Sequence, residues 1–226
     1  MATHLDLEEQ EQLDQLKHFW KQYGNLITWI LIAVMASYAS WNFYTYWQRK
    51  QSAQAAALYD EVARAASAGD TAKLERAFGD MKDKFGGTAF AGQAGLVAGK
   101  VMFEKGNTDA AKAALTWVSE KASDDGYKAV ARLRLAGVLI QAKAYDEAAK
   151  VLAESVPAPA PYAPLVADRT GDLQAAQGKT TEAIAAYKKA FEGLQDTDDY
   201  RRLVEVKLNA LGVDPRVPVV TVEVKK

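Results

Sequence analysis

The chain has no cysteine, only two histidines and no proline before Pro157. Without cysteine there is no disulfide, no thiolate nucleophile and no sulfur-ligated metal. His4 and His18 both lie near the start, so the remaining chain holds no imidazole for acid–base or metal chemistry. The proline-free first 156 residues favour long helices over turn-rich sheets. A net charge of −1 leaves no overall cationic footprint, and nucleic acid is not an expected partner. Together these absences argue against an enzyme, and no cofactor or metal is expected.

A further absence is local. No charged residue occurs between Lys21 and Arg49, and Leu26–Trp47 is a 22-residue apolar and aromatic run. As a helix it would extend about 33 Å, enough for a hydrocarbon layer of about 30 Å. Trp20 and Tyr23 flank one end and Trp41, Tyr44, Tyr46 and Trp47 the other, as interfacial aromatic belts do. The small residues Ser37-Tyr38-Ala39 resemble a cleavage site, but the segment ahead is long and acidic where a signal peptide would be basic. An uncleaved anchor is therefore expected.

Lys17 and Lys21 on one side balance Arg49 and Lys50 on the other, so charge counting does not orient the span. Ala33, Ala36, Ser37 and Ser40 form a small-residue stripe that would let another membrane helix approach, or that simply belongs to a plain anchor. Ahead of the span, Asp6 and Glu9 resemble a capping box for a short helix whose Leu13, Leu16, Trp20 and Tyr23 share a face. That face would rest on the bilayer surface or receive a partner.

The rest of the chain repeats. Gly106-Asn107-Thr108-Asp109-Ala110-Ala111 aligns with Lys143-Ala144-Tyr145-Asp146-Glu147-Ala148 and with Gly178-Lys179-Thr180-Thr181-Glu182-Ala183. Ala111, Ala148 and Ala183 are equivalent, as are Leu115, Leu152 and Tyr187 four residues on, and Gly99, Ala136 and Gly171 twelve before. A weaker unit precedes them, with Gly69-Asp70-Thr71 as its turn and Leu74 and Phe78 in the aligned positions. The pattern resembles the tetratricopeptide repeat, in which small residues let two antiparallel helices pack closely. The fold expected is all-α: one N-terminal transmembrane helix followed by a right-handed tetratricopeptide-repeat-like α-solenoid. Pro164 suits the first turn of a helix. A final helix from Asp198-Asp199, with Leu203, Val204, Leu208 and Leu211 inward and Gly212 as its stop, would cap the stack. The glycines of Ala91-Gly92-x-x-Gly95-x-x-x-Gly99 lack the context of a phosphate loop and read as a helix-packing face. The chain thus divides into an amphipathic segment 1–23, a span 24–48, a repeat domain 49–212 and a flexible tail 213–226.

The order of these parts, with Phe-Trp-Lys-x-Tyr-Gly-Asn ahead of the span, resembles the YfgM family. Lys128-Ala129-Val130-Ala131-Arg132-Leu133-Arg134-Leu135-Ala136 and Val166-Ala167-Asp168-Arg169-Thr170-Gly171-Asp172 carry the likeness most specifically. Members are ancillary subunits of the bacterial SecYEG translocon. The resemblance implies a bacterial inner-membrane protein with a cytoplasmic N-terminus and periplasmic repeats. It further implies SecYEG and a PpiD-like periplasmic chaperone as partners.

A repeat stack of this kind would act as a scaffold, and translocating or unfolded polypeptides are further candidate ligands. In the register above, Leu96, Lys100, Phe103, Leu133, Ile140, Asp168 and Asp172 would line its concave face. The alternatives are an adaptor for another envelope-assembly or division complex, and an enzyme using Asp168 and Asp172. Those two acids share a helix face, but a salt bridge from Asp168 to Arg132 or Arg134 explains the first equally well.

Overall fold

The computed structural model describes residues 7–155 and 160–216. The capping box at Asp6, the prolines Pro157 and Pro159, and residues 217–226 of the expected tail lie outside the described residues. The chain separates into two compact units, Met1–Gln51 and Ser52–Lys226.

The first unit consists of helix α1, which begins at Leu7 and continues to Ala68 in the second unit. The separate short helix expected ahead of the span is not seen, because nothing ends it. There is no proline, and the lone Gly24 costs only about 1 kcal/mol against a run of good helix formers. The hydroxyls of Thr28 and Ser37 donate to the carbonyls of Gly24 and Ala33, each at 2.8 Å, so these polar groups are satisfied within the helix. The most apolar window of α1 has mean hydropathy 1.5, and none of it is buried by protein. Trp29, Ile30, Leu31, Val34 and Met35 are all more than half exposed. An all-round apolar helix that no other element covers has the length and composition to cross a membrane.

The second unit is built from hairpins. The end of α1 pairs with α2 (Thr71–Phe85), α3 (Ala89–Glu104) with α4 (Thr108–Lys121), and α5 (Asp125–Gln141) with α6 (Tyr145–Ala153). A short 3-10 turn, Ala160–Tyr162, leads into α7 (Ala163–Ala176), which pairs with α8 (Thr180–Gly193). Helix α9 (Asp199–Ala210) closes the stack. Among the described residues every regular element is helical.

The same turn recurs at each hairpin. Gly69, Gly106, Lys143 and Gly178 have φ of +66°, +82°, +57° and +76°. The amide after each reaches back to a carbonyl five residues earlier: Asp70 to Ala65, Asn107 to Met102, Ala144 to Leu139 and Lys179 to Gln174. This left-handed C-cap reverses the chain at the cost of one residue with positive φ. Asp70 and Asn107 then serve as N-caps, accepting hydrogen bonds from the amides of Lys73 and Ala110. The Lys73 amide, with its ammonium, holds the Asp70 carboxyl below its usual range. Gly212 repeats the device after α9, with φ +79° and Val213 donating to the Leu208 carbonyl.

Small residues set the helix spacing. A Cβ on Gly99 would lie 2.6 Å from Cγ of Leu115, and one on Gly171 would lie 2.5 Å from the Tyr187 ring. A Cβ on Gly95 would meet Val118 at 2.3 Å. The glycine run of α3 is thus a packing face, as its sequence context indicated. Ala111, Ala148 and Ala183 have no exposed surface, and Leu115 and Leu152 are buried beside them. Pro164 occupies the first turn of α7.

The cap differs from expectation in one face and one segment. Val204 and Leu208 are fully buried and Leu211 packs beside them, but Leu203 is 47% exposed. Leu203 lies about 100° around the helix from Val204 and falls outside the face that Val204 and Leu208 bury. Residues 213–216, expected to begin a loose tail, are tied to α9 through the Val213 amide and through Arg216, whose Nη2 is 2.6 Å from Glu205 Oε1.

Candidate functional site

The seven residues expected on the concave face divide sharply. Leu96 and Leu133 are buried in the central core, and Phe103 and Ile140 pack half-buried against it. Lys100 is exposed and lies 3.8 Å from Glu104 one turn on. Asp168 has no exposed surface and Asp172 is largely covered. Leu96, Leu133 and Asp168 therefore do not line an open groove. They occupy one repeat position, 37 and 35 residues apart, which faces the neighbouring hairpin rather than solvent. The next residue on each helix, Val97, Arg134 and Arg169, is the more accessible one.

The carboxylates of α7 form an ion cluster. Lys207 on α9 places Nζ 2.7 and 2.8 Å from the two oxygens of Asp168 and 2.7 Å from Oδ1 of Asp172. Tyr200 donates to Asp168 Oδ2 at 2.7 Å, and Tyr187 donates to Asp172 Oδ1 at 2.9 Å. Arg169 completes the set, with Nη1 2.9 Å from Asp172 Oδ2. Two carboxylates meet two cations, and two phenols occupy remaining lone pairs. Burial, and then the adjacent carboxylates, push both phenols well above the ordinary tyrosine range.

These acids are already neutralised and hydrogen-bonded, so their arrangement is that of a helix-to-helix lock. The salt bridge from Asp168 to Arg132 or Arg134 does not form. Lys207 takes that place, and Arg134 donates instead to the Leu96 carbonyl at 3.0 Å. Among the described residues no group of three or more His, Asp or Glu side chains could hold a metal ion.

Sequence reasoning missed Lys207, which lies 39 residues from Asp168. A signal was nevertheless present. In the fourth hairpin, Asp168 and Tyr187 replace the Leu96/Leu133 and Leu115/Leu152 of earlier units. Paired polar replacements in a repeat core call for a polar partner on the next element.

Sequence reasoning also missed a groove of about 640 Å³ between α4, α5 and α6. Lys112, Lys128, Arg132 and Lys150 line it together with Glu120 and Glu147, above a floor that includes Leu135 and Leu139. Its three walls come from separate helices, and their juxtaposition is not visible in linear spacing.

The expected membrane stripe is placed on α1, where Ala33, Ala36, Ser37 and Ser40 are all exposed. The Ser37 hydroxyl bonds its own helix, so the stripe offers close approach rather than a free donor.

Comparison with known proteins adds the family. A family model described as a tetratricopeptide repeat-like domain matches residues 17–213. A protein of Neisseria gonorrhoeae named ancillary SecYEG translocon subunit is 33% identical over 212 residues, covering 93% of this chain and 100% of the relative. The chain belongs to this tetratricopeptide repeat-like family of ancillary SecYEG translocon subunits. Proteins of the same name from Haemophilus influenzae and Escherichia coli are 30% and 24% identical. Each of these matches covers 91% of this chain, and 98% and 97% of the respective relative. No solved structure matches the chain. The family match takes in both the apolar stretch of α1 and the whole repeat array, and so bears out the likeness to YfgM and the all-α repeat fold.

Proposed function

We propose that this protein is a single-pass inner-membrane scaffold that associates with the SecYEG translocon. Its α1 anchors the chain, with the N-terminus cytoplasmic and the repeats periplasmic. There the repeat domain engages a PpiD-like chaperone and assists the transfer of secreted polypeptides. The observation that carries this reading is the union of an uncovered apolar helix with a repeat array whose buried acids are all neutralised. Among the described residues such a chain offers surfaces, and its buried carboxylates are engaged in ion pairs that join helices. The names of its relatives, each an ancillary SecYEG translocon subunit, supply the partner. The small-residue stripe of α1 is proposed to contact a membrane-embedded partner. The exposed Lys100 and Arg134 are proposed to lie on the repeat face that receives the chaperone.

Purification from native membranes in mild detergent should bring down SecYEG with this chain. Recovery of a division or envelope-assembly complex in its place would favour the rival adaptor. A reporter active only in the periplasm should work when fused after Lys226 and fail when fused before Leu26. A stable, inserted and inactive C-terminal fusion would reverse the orientation and remove the chaperone role.

A further inference from the structure

Lys128, Arg132, Leu135 and Leu139 run along one face of α5, at intervals of four, three and four residues. One repeat earlier the same positions of α3 hold Ala91, Gly95, Ala98 and Met102, all buried. Leu135 and Leu139 keep that burial, but Lys128 and Arg132 stand half-buried where the preceding hairpin has an alanine and a glycine. A polar replacement in a repeat core needs a partner, as Asp168 finds in Lys207. Lys128 meets only the carboxylate of Asp125, at 2.9 Å, and that side chain is 83% exposed. Among the described residues no carboxylate pairs with Arg132, nor with Lys112 on the facing wall.

A shortened helix leaves these cations open. Helix α6 starts in register with α4 but has nine residues against fourteen. Pro157 stands one repeat after Glu120, within the missing stretch, and a helix that ran through it would lose hydrogen bonds. Because α6 runs antiparallel to α5, its absent last turn would lie over the first half of α5, beside Lys128 and Arg132. The result is the groove between α4, α5 and α6. Its charges are sorted by depth. The half-buried ones, Lys112, Lys128 and Arg132, are all cations, whereas Glu120, Glu147 and Glu154 are exposed together with the rim residues Lys121 and Lys150. A half-covered cation has lost part of its water and attracts an anion more strongly than one in bulk solvent.

We propose that this groove binds an extended acidic segment of a partner polypeptide, its carboxylates on Arg132, Lys128 and Lys112 and its apolar side chains against Val151 and the leucine floor. The stripe on α5 is about 17 Å long, the reach of about five extended residues. A lone inorganic anion would leave the apolar end uncovered, and a nucleic-acid backbone would press phosphates against the rim acids. A peptide carries carboxylates and apolar groups on one strand, separated by uncharged amides. The site rests on the scaffold reading of the repeat domain and adds a ligand class and a place. Arg134 lies about 200° around α5 from Arg132, so the groove is distinct from the face of Lys100 and Arg134.

Fluorescence anisotropy with the full-length protein in mild detergent tests it. The acidic probes are the end-blocked pentapeptide Val-Leu-Gly-Asp-Glu and its reverse, and the neutral controls carry Asn-Gln in place of Asp-Glu. One acidic direction should bind about tenfold more tightly than its control, as charge-assisted contacts require. Arg132→Gln should weaken that binding about tenfold and Arg132→Lys should restore most of it. Lys150→Glu, at an exposed rim position that does not affect folding, should weaken it several-fold, and Lys100→Gln should not. Equal affinity of acidic and neutral probes would overturn the proposal, as would unchanged affinity in both Arg132→Gln and Lys150→Glu. Displacement by millimolar inorganic phosphate, with undiminished binding of Ser-Ser-Gly-Asp-Glu, would give the groove to a bare anion and overturn it too. Recovery of SecYEG from native membranes tests the scaffold reading separately: its loss from the native protein strikes that reading, whereas failed peptide binding with SecYEG retained strikes the groove alone.

Discussion

The ammonium of Lys207 lies within 2.8 Å of both carboxylate oxygens of Asp168, a residue with no exposed surface at all. This contact joins α9 to α7 across 39 residues of sequence and fixes the end of the repeat stack. Removing one partner should therefore cost far more than removing both. Lys207→Met leaves Asp168 buried and uncompensated, and should destabilise the repeat domain by about 3–5 kcal/mol. Asp168→Leu with Lys207→Met restores the residue type found at the equivalent positions 96 and 133, and should recover most of that loss. Urea unfolding of the four members of the cycle measures it, and additive losses would show that the contact contributes nothing of its own.

The two phenols of the cluster give a pH dependence. Tyr187 and Tyr200 are held above their ordinary range in the folded state, by burial first and then by the carboxylates. Above a pH of about 10 the unfolded chain loses those protons while the folded chain keeps them. The stabilisation is thus complete below pH 10 and declines as pH rises toward the folded values. Tyr187→Phe with Tyr200→Phe should flatten the fall in unfolding free energy between pH 9 and about 11. An equally steep fall in the double variant would place the alkaline sensitivity elsewhere.

Lys143 holds a turn position that glycine fills in the other three hairpins, at φ +57°. A side chain in the left-handed region costs about 1–2 kcal/mol, partly offset by the greater entropy glycine loses on folding. Lys143→Gly should raise stability by about 0.5–1 kcal/mol, read as a higher urea midpoint at unchanged m-value.

One substitution should act in opposite directions at two glycines. Gly171→Ala drives a methyl to 2.5 Å from the Tyr187 ring and should cost about 1–3 kcal/mol through overpacking. Gly79→Ala, inside α2 with nothing within 4 Å of the new Cβ, should stabilise by about 0.5–1 kcal/mol. Thermal unfolding of the two variants separates them, and equal signs would contradict the helix packing described.

The proposed role of the membrane stripe is tested by bulk. Ala33→Leu with Ser37→Leu should leave the chain in the membrane while reducing recovery of SecYEG in mild detergent. Undiminished recovery, with an unrelated polyleucine span as a second control, would assign all recognition to the repeats.

Much of this architecture was legible in the sequence because it rests on local rules. The uncharged run 22–48, the glycines at 69, 106 and 178, and the alanines at 111, 148 and 183 state helix, turn and close approach within a few residues of each other. Period and residue size carry that information without reference to distant parts of the chain. Which face of each first helix remains open was decided only by packing. Leu96, Leu133 and Asp168 look equally able to face a groove until the neighbouring hairpin and α9 close over them. Lys207, Leu203 and the returning Arg216 likewise acquire their roles from helices brought together across tens of residues. Burial and ion pairing are properties of such juxtapositions, and linear spacing cannot express them.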